Sequence, residues 1–192
     1  MYVLASASPR RRELLQLVLP EFVVRPAECD ETCDLQDPRS LVMELARRKC
    51  RAAVAVSGPE DVVIAADTLV FLDGKPLGKP RDAQDACRML RSLSGRAHQV
   101  MTAYSVWAKG ELVTRCVVTD VTFFALTDAR IRAYVATGEP MDKAGSYGIQ
   151  GKGALLVEGI HGDYFNVVGL PVGDLANTMR QLGLLPEERI GV

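Results

Sequence analysis

Three arginines follow a Ser-Pro pair where a short apolar run ends and a helical pattern begins, in the stretch LASASPRRR of residues 4–12. Ser8 is suited to cap a helix whose first residue is Pro9. The first N–H groups of such a helix are unpaired and attract an anion, and Arg10 and Arg11 add guanidinium groups that suit phosphate oxygens. The alternative is that Ser8 only caps the helix and that solvent surrounds the arginines.

Asp67 and Thr68 interrupt an otherwise apolar run, DVVIAADTLVFL at residues 61–72. An ionised carboxylate in such a strand is costly unless it faces a cleft, a cation or hydrogen-bond donors. One interpretation is a functional carboxylate at a cleft, which Glu31 of the acidic loop CDETCDLQDP would share. The alternatives are an Asp67 held by backbone N–H groups at a β-bulge and a Glu31 that is only solvated.

Two lysines and a glycine-rich segment add to these groups. Lys49 lies at the edge of the apolar stripe of a predicted helix, and Lys79 precedes Pro80 in a loop after the Asp67 strand. Salt bridges would explain both lysines. The segment MDKAGSYGIQGKGA at residues 141–154 contains four glycines, which let the backbone approach a ligand closely. It matches neither the P-loop pattern G-x-x-x-x-G-K-[ST] nor G-x-G-x-x-G.

Together, the arginines, carboxylates, lysines and glycines predict a site for a triphosphate with Mg²⁺. The chain contains no serine elbow, no histidine-based triad and no cysteine paired with a nearby histidine. Covalent hydrolysis is therefore disfavoured, and water is the expected nucleophile. Five scattered cysteines and two histidines do not suit a closed four-ligand zinc site.

The composition excludes several classes of protein. With 23 basic and 24 acidic residues and a net charge of −1, the chain has no global field for nucleic acid or an anionic membrane. No run of 18 apolar residues occurs, and the arginines interrupt the N-terminal apolar stretch at once. We therefore expect a cytoplasmic protein without a membrane span.

Apolar spacing and turn residues predict strands and helices that alternate at both ends of the chain, with a β-rich middle. Strands are predicted at 2–5, 22–25, 61–72, 98–109, 111–126, 154–160 and 164–168, and helices at 9–18, 39–56, 82–93, 127–138 and 171–182. This order favours one α/β domain over residues 1–192, with a mixed, elongated sheet flanked by helices and two lobes around a cleft.

The motifs that carry these residues resemble the Maf family of nucleoside triphosphate pyrophosphatases. The resemblance covers nearly the whole chain, through SASPRRRELL, LARRKCRAA, IAADTLV, GKPRD, LSGRAHQVMT, VTDVTF, YVATGEPMDKAGSYGIQGKGA and NVVGLP. The run from Asp142 to Gly151 is most similar to the branch that acts on dTTP and UTP, because Gln150 replaces the glutamate of the 7-methyl-GTP branch. The resemblance also implies a fold similar to inosine triphosphate pyrophosphatases and a homodimer.

The activity that the resemblance implies is hydrolysis between the α and β phosphates of a nucleoside triphosphate. It implies Asp67 as the general base, with Lys49 and Lys79 as further catalytic residues. It also implies that Asp67 and Glu31 hold a divalent metal, Mg²⁺ or alternatively Mn²⁺ or Co²⁺. The implied substrate-binding residues are Ser8, Arg10, Arg11, Thr68, Asp142, Lys143 and Gln150.

A glutamine at position 150 would read a pyrimidine base. Its side chain offers one donor and one acceptor, which match the ring carbonyl and the N3–H of thymine or uracil. Cytosine reverses part of that pattern, so unpaired buried groups would separate the two kinds of base. The competing hypothesis is a nucleotide-binding regulator of septum formation without turnover. The intact AADT motif at residues 65–68 favours the enzyme.

Overall fold

The computed structural model describes residues 1–26 and 28–187. The strands in this part of the chain are β1 (Tyr2–Leu4), β2 (Val23–Val24), β3 (Val62–Leu72), β4 (Lys75–Leu77), β5 (Ala97–Ala108), β6 (Glu111–Phe123) and β7 (Val157–His161). They form a seven-stranded sheet of order β2-β1-β3-β5-β6-β7, with β4 paired to β3 beside this path. Parallel pairs at β1 and antiparallel pairs at β4 and β7 confirm the predicted mixed sheet.

The helices are α1 (Pro9–Gln16), α2 (Pro38–Val54), α3 (Ala83–Leu93), α4 (Asp128–Val135), α5 (Tyr164–Val168) and α6 (Val172–Gln181). Four of them begin at a side chain that accepts the backbone N–H three residues later: Ser8, Asp37, Asp82 and Thr127. Such caps explain why these helices start where the sequence predicts, within a residue or two. None of the helices described here is long and apolar enough to cross a membrane.

The chain divides into two compact units. The first unit comprises Met1–Asp67, Thr102–Val117 and the segment from Gly169 onward, and the second comprises Thr68–Met101 and Val118–Val168. Strands β3, β5 and β6 contribute residues to both units, since each of these strands crosses a unit boundary along the chain.

In the first unit, α2 packs on β1 and β3 through small side chains. Cys50 and Ala53 are fully buried in one cluster with Val3, Val63 and Ala65. The Sγ atom of Cys50 lies 3.7 Å from the Val63 carbonyl oxygen. Small residues on both surfaces let α2 approach β3 closely. The side chain of Lys49, which precedes Cys50, is thereby brought towards β3.

In the second unit, α3 and α4 cover the sheet, and an edge-to-face cluster of three rings fills the space beside them. The ring of His98 lies 5.0 Å from that of Phe123 and 5.3 Å from that of Tyr147. His98 Nε2 and the Tyr147 hydroxyl are 2.7 Å apart, within hydrogen-bond distance. Because Tyr147 belongs to the glycine-rich segment, this cluster anchors that segment in the core of the unit.

Two expectations about secondary structure are wrong. Residues 164–168 form helix α5 instead of a strand, because Asp163 Oδ1 accepts the Phe165 N–H at 2.7 Å and starts a helical turn. Asn166 in that turn donates to the Val100 carbonyl oxygen and to Thr119 Oγ1. The predicted strand 154–160 is also displaced, since Gly151–Leu156 is a 3₁₀ turn and β7 begins only at Val157.

The buried ring of His98 predicts a specific loss of stability in acid. Burial lowers the pKa of His98 from 6.5 to about 4. The unfolded chain therefore takes up this proton at a higher pH than the folded chain does. The contribution of neutral His98 to the free energy of unfolding is fully present above the pKa of the unfolded state. It is lost as the pH falls to about 4, by about 3 kcal/mol in total.

Urea unfolding of wild type and His98→Gln at about pH 7 and about pH 4 measures this effect. We expect the difference between the two free energies of unfolding to change by about 3 kcal/mol in favour of the variant as the pH falls. His161→Gln, which removes the exposed histidine of β7, is the matched control and should follow wild type. Parallel curves for wild type and His98→Gln would contradict the prediction.

Candidate active site

Two serines organise the start of α1. Ser8 Oγ accepts the backbone N–H of Arg11 at 3.4 Å, and Ser6 Oγ accepts the backbone N–H of Ser8 at 3.2 Å. The Arg11 side chain folds back on this turn, donating from Nη1 to Ser6 Oγ at 3.4 Å and from Nε to the Gly169 carbonyl oxygen at 2.9 Å. Arg11 is therefore held in a defined position beside the positive end of the helix dipole, and the partly exposed Arg10 precedes it.

The charge of Arg11 lies within electrostatic range of two carboxylates. Burial lowers the pKa of Arg11, the Asp67 carboxylate raises it, and the neighbouring Arg10 lowers it. Glu31 raises it as well, and the net shift is downward. A guanidinium is basic enough to stay protonated at neutral pH in spite of this shift. Arg11 is thus a fixed cation that shares its surroundings with Asp67 and Glu31.

Lys49 links the two carboxylates directly. Its Nζ contacts Asp67 Oδ1, and it lies 3.1 Å from Glu31 Oε1. The exposed fraction of the side chain is 18% for Lys49, 10% for Asp67 and 61% for Glu31. The three side chains therefore lie together, with two nearly buried and the third open to solvent, and the contacts of Lys49 are the salt bridges that the alternative interpretation of this lysine expects.

The ammonium group of Lys49 stays charged in this position. Burial lowers the pKa of Lys49, but the Asp67 and Glu31 carboxylates raise it by more, and the net pKa lies above the ordinary value. A positive charge is thereby retained next to Asp67 at neutral pH. The contact of Asp67 with Lys49 differs from the alternative interpretation, in which backbone N–H groups alone satisfy the carboxylate.

Arg48 positions the loop that carries Glu31, and sequence reasoning did not identify it. Its Nη1 donates to the carbonyl oxygens of Asp30 and Thr32, at 3.2 and 2.6 Å, and its Nε donates to Glu44. The loop on both sides of Glu31 is therefore tied to α2. No spacing signal distinguishes Arg48 from the other arginines of the same helix, so this role depends on the folded loop.

Cys29 also lies near the carboxylates, and no role was predicted for it. Burial raises the pKa of Cys29, and the ammonium of Lys49 only partly offsets that shift. Glu31 and Asp67 raise the pKa further. The side chain is therefore a neutral thiol at neutral pH, and a thiolate nucleophile is not favoured beside Asp67.

The donor set of Asp67 and Glu31 suits a hard divalent cation. Both residues supply carboxylate oxygens, which Mg²⁺ prefers, and both already converge on one cationic group, the Lys49 ammonium. Within residues 1–26 and 28–187, no group of three or more His, Cys, Asp or Glu side chains could hold a metal. A cation held here would take its remaining ligands from water or from substrate phosphates, as Mg²⁺ commonly does.

In the second unit, Lys143 is occupied within its own segment. Its Nζ donates to the Glu139 carbonyl oxygen and to Asp142 Oδ1, each at 2.6 Å. The side chain of Lys143 is 15% exposed and that of Asp142 is 64% exposed. The substrate-binding roles predicted for these two residues stay predictions, and the contact of Lys143 with the Glu139 carbonyl oxygen ties the glycine-rich segment to the turn before it.

The loop of Lys79 is hydrogen-bonded to the glycine-rich segment. The Gly145 N–H donates to the Gly78 carbonyl oxygen at 3.0 Å, one residue before Lys79. Gly145 has a φ of +70°, and a Cβ at this position would lie 2.9 Å from the Val70 side chain, so only glycine fits. Lys79 and Gln150 are both exposed, and Thr68 on β3 is partly buried. The hydrogen bond between Gly145 and Gly78 does not test the roles predicted for Lys79, Gln150 and Thr68, which stay predictions.

Among solved structures, the Staphylococcus aureus Ham1 protein aligns with 64% of this chain and 71% of its own chain, with a TM-score of 0.48 and 18% identity. Three sequence relatives are much closer, and each is named dTTP/UTP pyrophosphatase. They come from Thermococcus onnurineus strain NA1 (53% identical, covering 95% of this chain and 98% of the relative), Bacillus cytotoxicus (48%, covering 94% of each) and Anaeromyxobacter dehalogenans (50%, covering 97% of each). The family model for Maf-like proteins matches residues 1–182. The chain belongs to the Maf family.

Proposed function

We propose that this protein hydrolyses dTTP and UTP to the monophosphate and pyrophosphate. The observation that carries the proposal is the contact of the Lys49 ammonium with the nearly buried carboxylate of Asp67, beside Glu31 and within electrostatic range of Arg11. Eight relatives that are 45–53% identical bear the name dTTP/UTP pyrophosphatase, which supports the choice of substrates.

In the proposed reaction, Asp67 orients a water molecule and accepts its proton. The water oxygen forms a bond to the α-phosphorus, the bond to the bridging oxygen breaks, and pyrophosphate leaves with that oxygen. Lys49 engages Oδ1 of Asp67, which leaves Oδ2 to accept the proton. Lys49 thereby fixes the orientation of the base.

The remaining charges bind the substrate. Ser8, Arg10 and Arg11 at the start of α1 bind phosphate oxygens, and Lys79 adds a further cation. Thr68, Asp142, Lys143 and Gln150 complete the proposed substrate-binding set, with Gln150 reading the pyrimidine base. Asp67 and Glu31 would hold the divalent metal, Mg²⁺ with Mn²⁺ or Co²⁺ as alternatives, which when bound would lower the pKa of water and neutralise phosphate charge.

The homodimer is what the family resemblance implies, and the compartment is the one expected from the sequence. We propose a cytoplasmic homodimer that does not bind nucleic acid. The near balance of 23 basic and 24 acidic residues supports the last point. Light scattering on the purified protein distinguishes a dimer from a monomer.

The first test is the release of pyrophosphate by wild type and Asp67→Asn with Mg²⁺, using dTTP, UTP, CTP, dATP, GTP and 7-methyl-GTP. Wild type should turn over dTTP and UTP in preference to the others. Asp67→Asn should lose about a hundredfold or more in kcat, because the general base is removed.

Asp34→Asn, in the exposed part of the acidic loop, makes the same chemical change and should retain wild-type turnover. Asp67→Asn with wild-type turnover would refute the assigned base. Tight binding of dTTP by wild type without any pyrophosphate release would refute the enzyme and favour a nucleotide-binding regulator.

The proposed metal site has a consequence for stability. Lys49→Met removes the cation that offsets a nearly buried carboxylate, which should cost about 3 kcal/mol of stability without metal. Mg²⁺ should recover more stability in this variant than in wild type, since the metal would then bind carboxylates that Lys49 no longer occupies.

Thermal unfolding with EDTA and with Mg²⁺ measures both effects. Lys75→Met, at an exposed position of β4, is the matched control and should behave as wild type does. Equal Mg²⁺ shifts in Lys49→Met and wild type would argue against a metal held by Asp67 and Glu31.

A further inference from the structure

We propose that Glu139 is a positioning residue for base selection, because its carboxylate and the Tyr134 hydroxyl together fix the backbone of residues 148–153, the turn that carries Gln150. This inference rests on the proposed function for the identity of the substrates. It assigns to Glu139 a role in specificity without contact with the nucleotide.

The carboxylate of Glu139 binds two successive backbone amides of this turn. Oε2 accepts the Lys152 N–H at 3.0 Å, and Oε1 accepts the Gly153 N–H at 3.0 Å. Oε1 also accepts the Tyr134 hydroxyl at 2.9 Å. A partly buried carboxylate is thus satisfied by three donors, two of which belong to the backbone just after Gln150.

Tyr134 binds the other side of the same turn. Its hydroxyl oxygen accepts the Gly148 N–H at 3.2 Å while the hydroxyl proton goes to Glu139. The Tyr134 ring is 5% exposed and belongs to the core cluster of the second unit. The backbone before Gln150 and the backbone after it are therefore both hydrogen-bonded to the pair Tyr134 and Glu139, and the ring of Tyr134 is packed in the core.

The glycines of the turn are those that this arrangement requires. A Cβ at Gly153 would lie 2.1 Å from the Gly148 carbonyl oxygen and 2.7 Å from the Tyr134 hydroxyl oxygen. Gly151 has a φ of +66°, and a Cβ there would lie 3.0 Å from Glu139 Oε2. Side chains at either position would push the backbone away from the two residues that hold it.

A fixed backbone matters here because Gln150 is exposed and is not held in place by burial in the core. The side-chain amide of Gln150 must place its N–H donor and its carbonyl acceptor against the matching groups of the base. This requires that the backbone of Gln150 be held in one position. Tyr147 and Ile149, which precede Gln150, are held by burial and not by the Glu139 contacts, since they are 5% and 9% exposed. Loss of the Glu139 contacts should therefore loosen the turn around Gln150 without unfolding the unit.

The test compares Glu139→Gln and Tyr134→Phe with wild type. Each variant keeps nearly the same shape, but the Gln amide directs N–H donors at backbone donors, and Phe lacks the hydroxyl. The measured quantities are kcat and KM for dTTP and CTP, the dissociation constants of both nucleotides, hydrogen exchange of the amides at 148, 152 and 153, and the melting temperature. Glu158→Gln, at an exposed position of β7, is the control for the change of charge.

We expect faster amide exchange in both variants and a preference for dTTP over CTP that is reduced about tenfold or more, mainly through KM. Gln150→Ala should reduce the preference for dTTP over CTP by a similar factor, without faster amide exchange at 152 and 153. That result would support the inference that Glu139 and Tyr134 affect the preference through Gln150. The control should keep the wild-type preference and exchange rates.

The inference is overturned if both variants keep the wild-type preference, or if they lose activity equally towards both nucleotides through kcat alone. The proposed function fails separately, through absence of pyrophosphate release by wild type. In that case the dissociation constants of dTTP and CTP still give the preference, so the role of Glu139 is decided by binding.

Discussion

The polar arrangement of the first unit depends on the placement of one ammonium group against one nearly buried carboxylate. An ionised aspartate within an apolar strand would be strongly unfavourable by itself, and so would a lysine at the buried edge of a helix. Each offsets part of the other's penalty, with Glu31 as a second partner for the lysine. The contact is possible because Cys50, Ala53 and Ala65 are small enough for α2 to approach β3.

Two consecutive residues of α2 then define where both carboxylates lie. Lys49 reaches the strand and binds Asp67, whereas Arg48 points to the loop and binds its carbonyl oxygens on either side of Glu31. Successive side chains on a helix point about 100° apart, so one helix can serve a strand and a loop at once. The position of α2 on the sheet is therefore the constraint from which the geometry of Asp67 and Glu31 follows.

Much of this could be predicted from the sequence, since the strand around Asp67 and the stripe of α2 are strong local patterns. Helix α5 could not, because the valines and aromatic residues of 164–168 favour a strand, while the Asp163 cap and the hydrogen bonds of Asn166 favour a helical turn. Glu139 and Arg48 were missed for a related reason. Both bind backbone groups that are distant in sequence, and backbone partners leave no signature in residue types.

The two units hold carboxylates in ways that suit different tasks. Asp67 and Glu31 are balanced by a side-chain cation, which can move and whose place another cation can take. Glu139 is balanced by two backbone amides and a hydroxyl fixed in the core, none of which can leave without unfolding a turn. A site that exchanges ligands in each turnover needs the first arrangement, because its charges must be rebalanced. The base recognition proposed for the turn of Gln150 would need the second, because its accuracy would depend on atoms that stay in place.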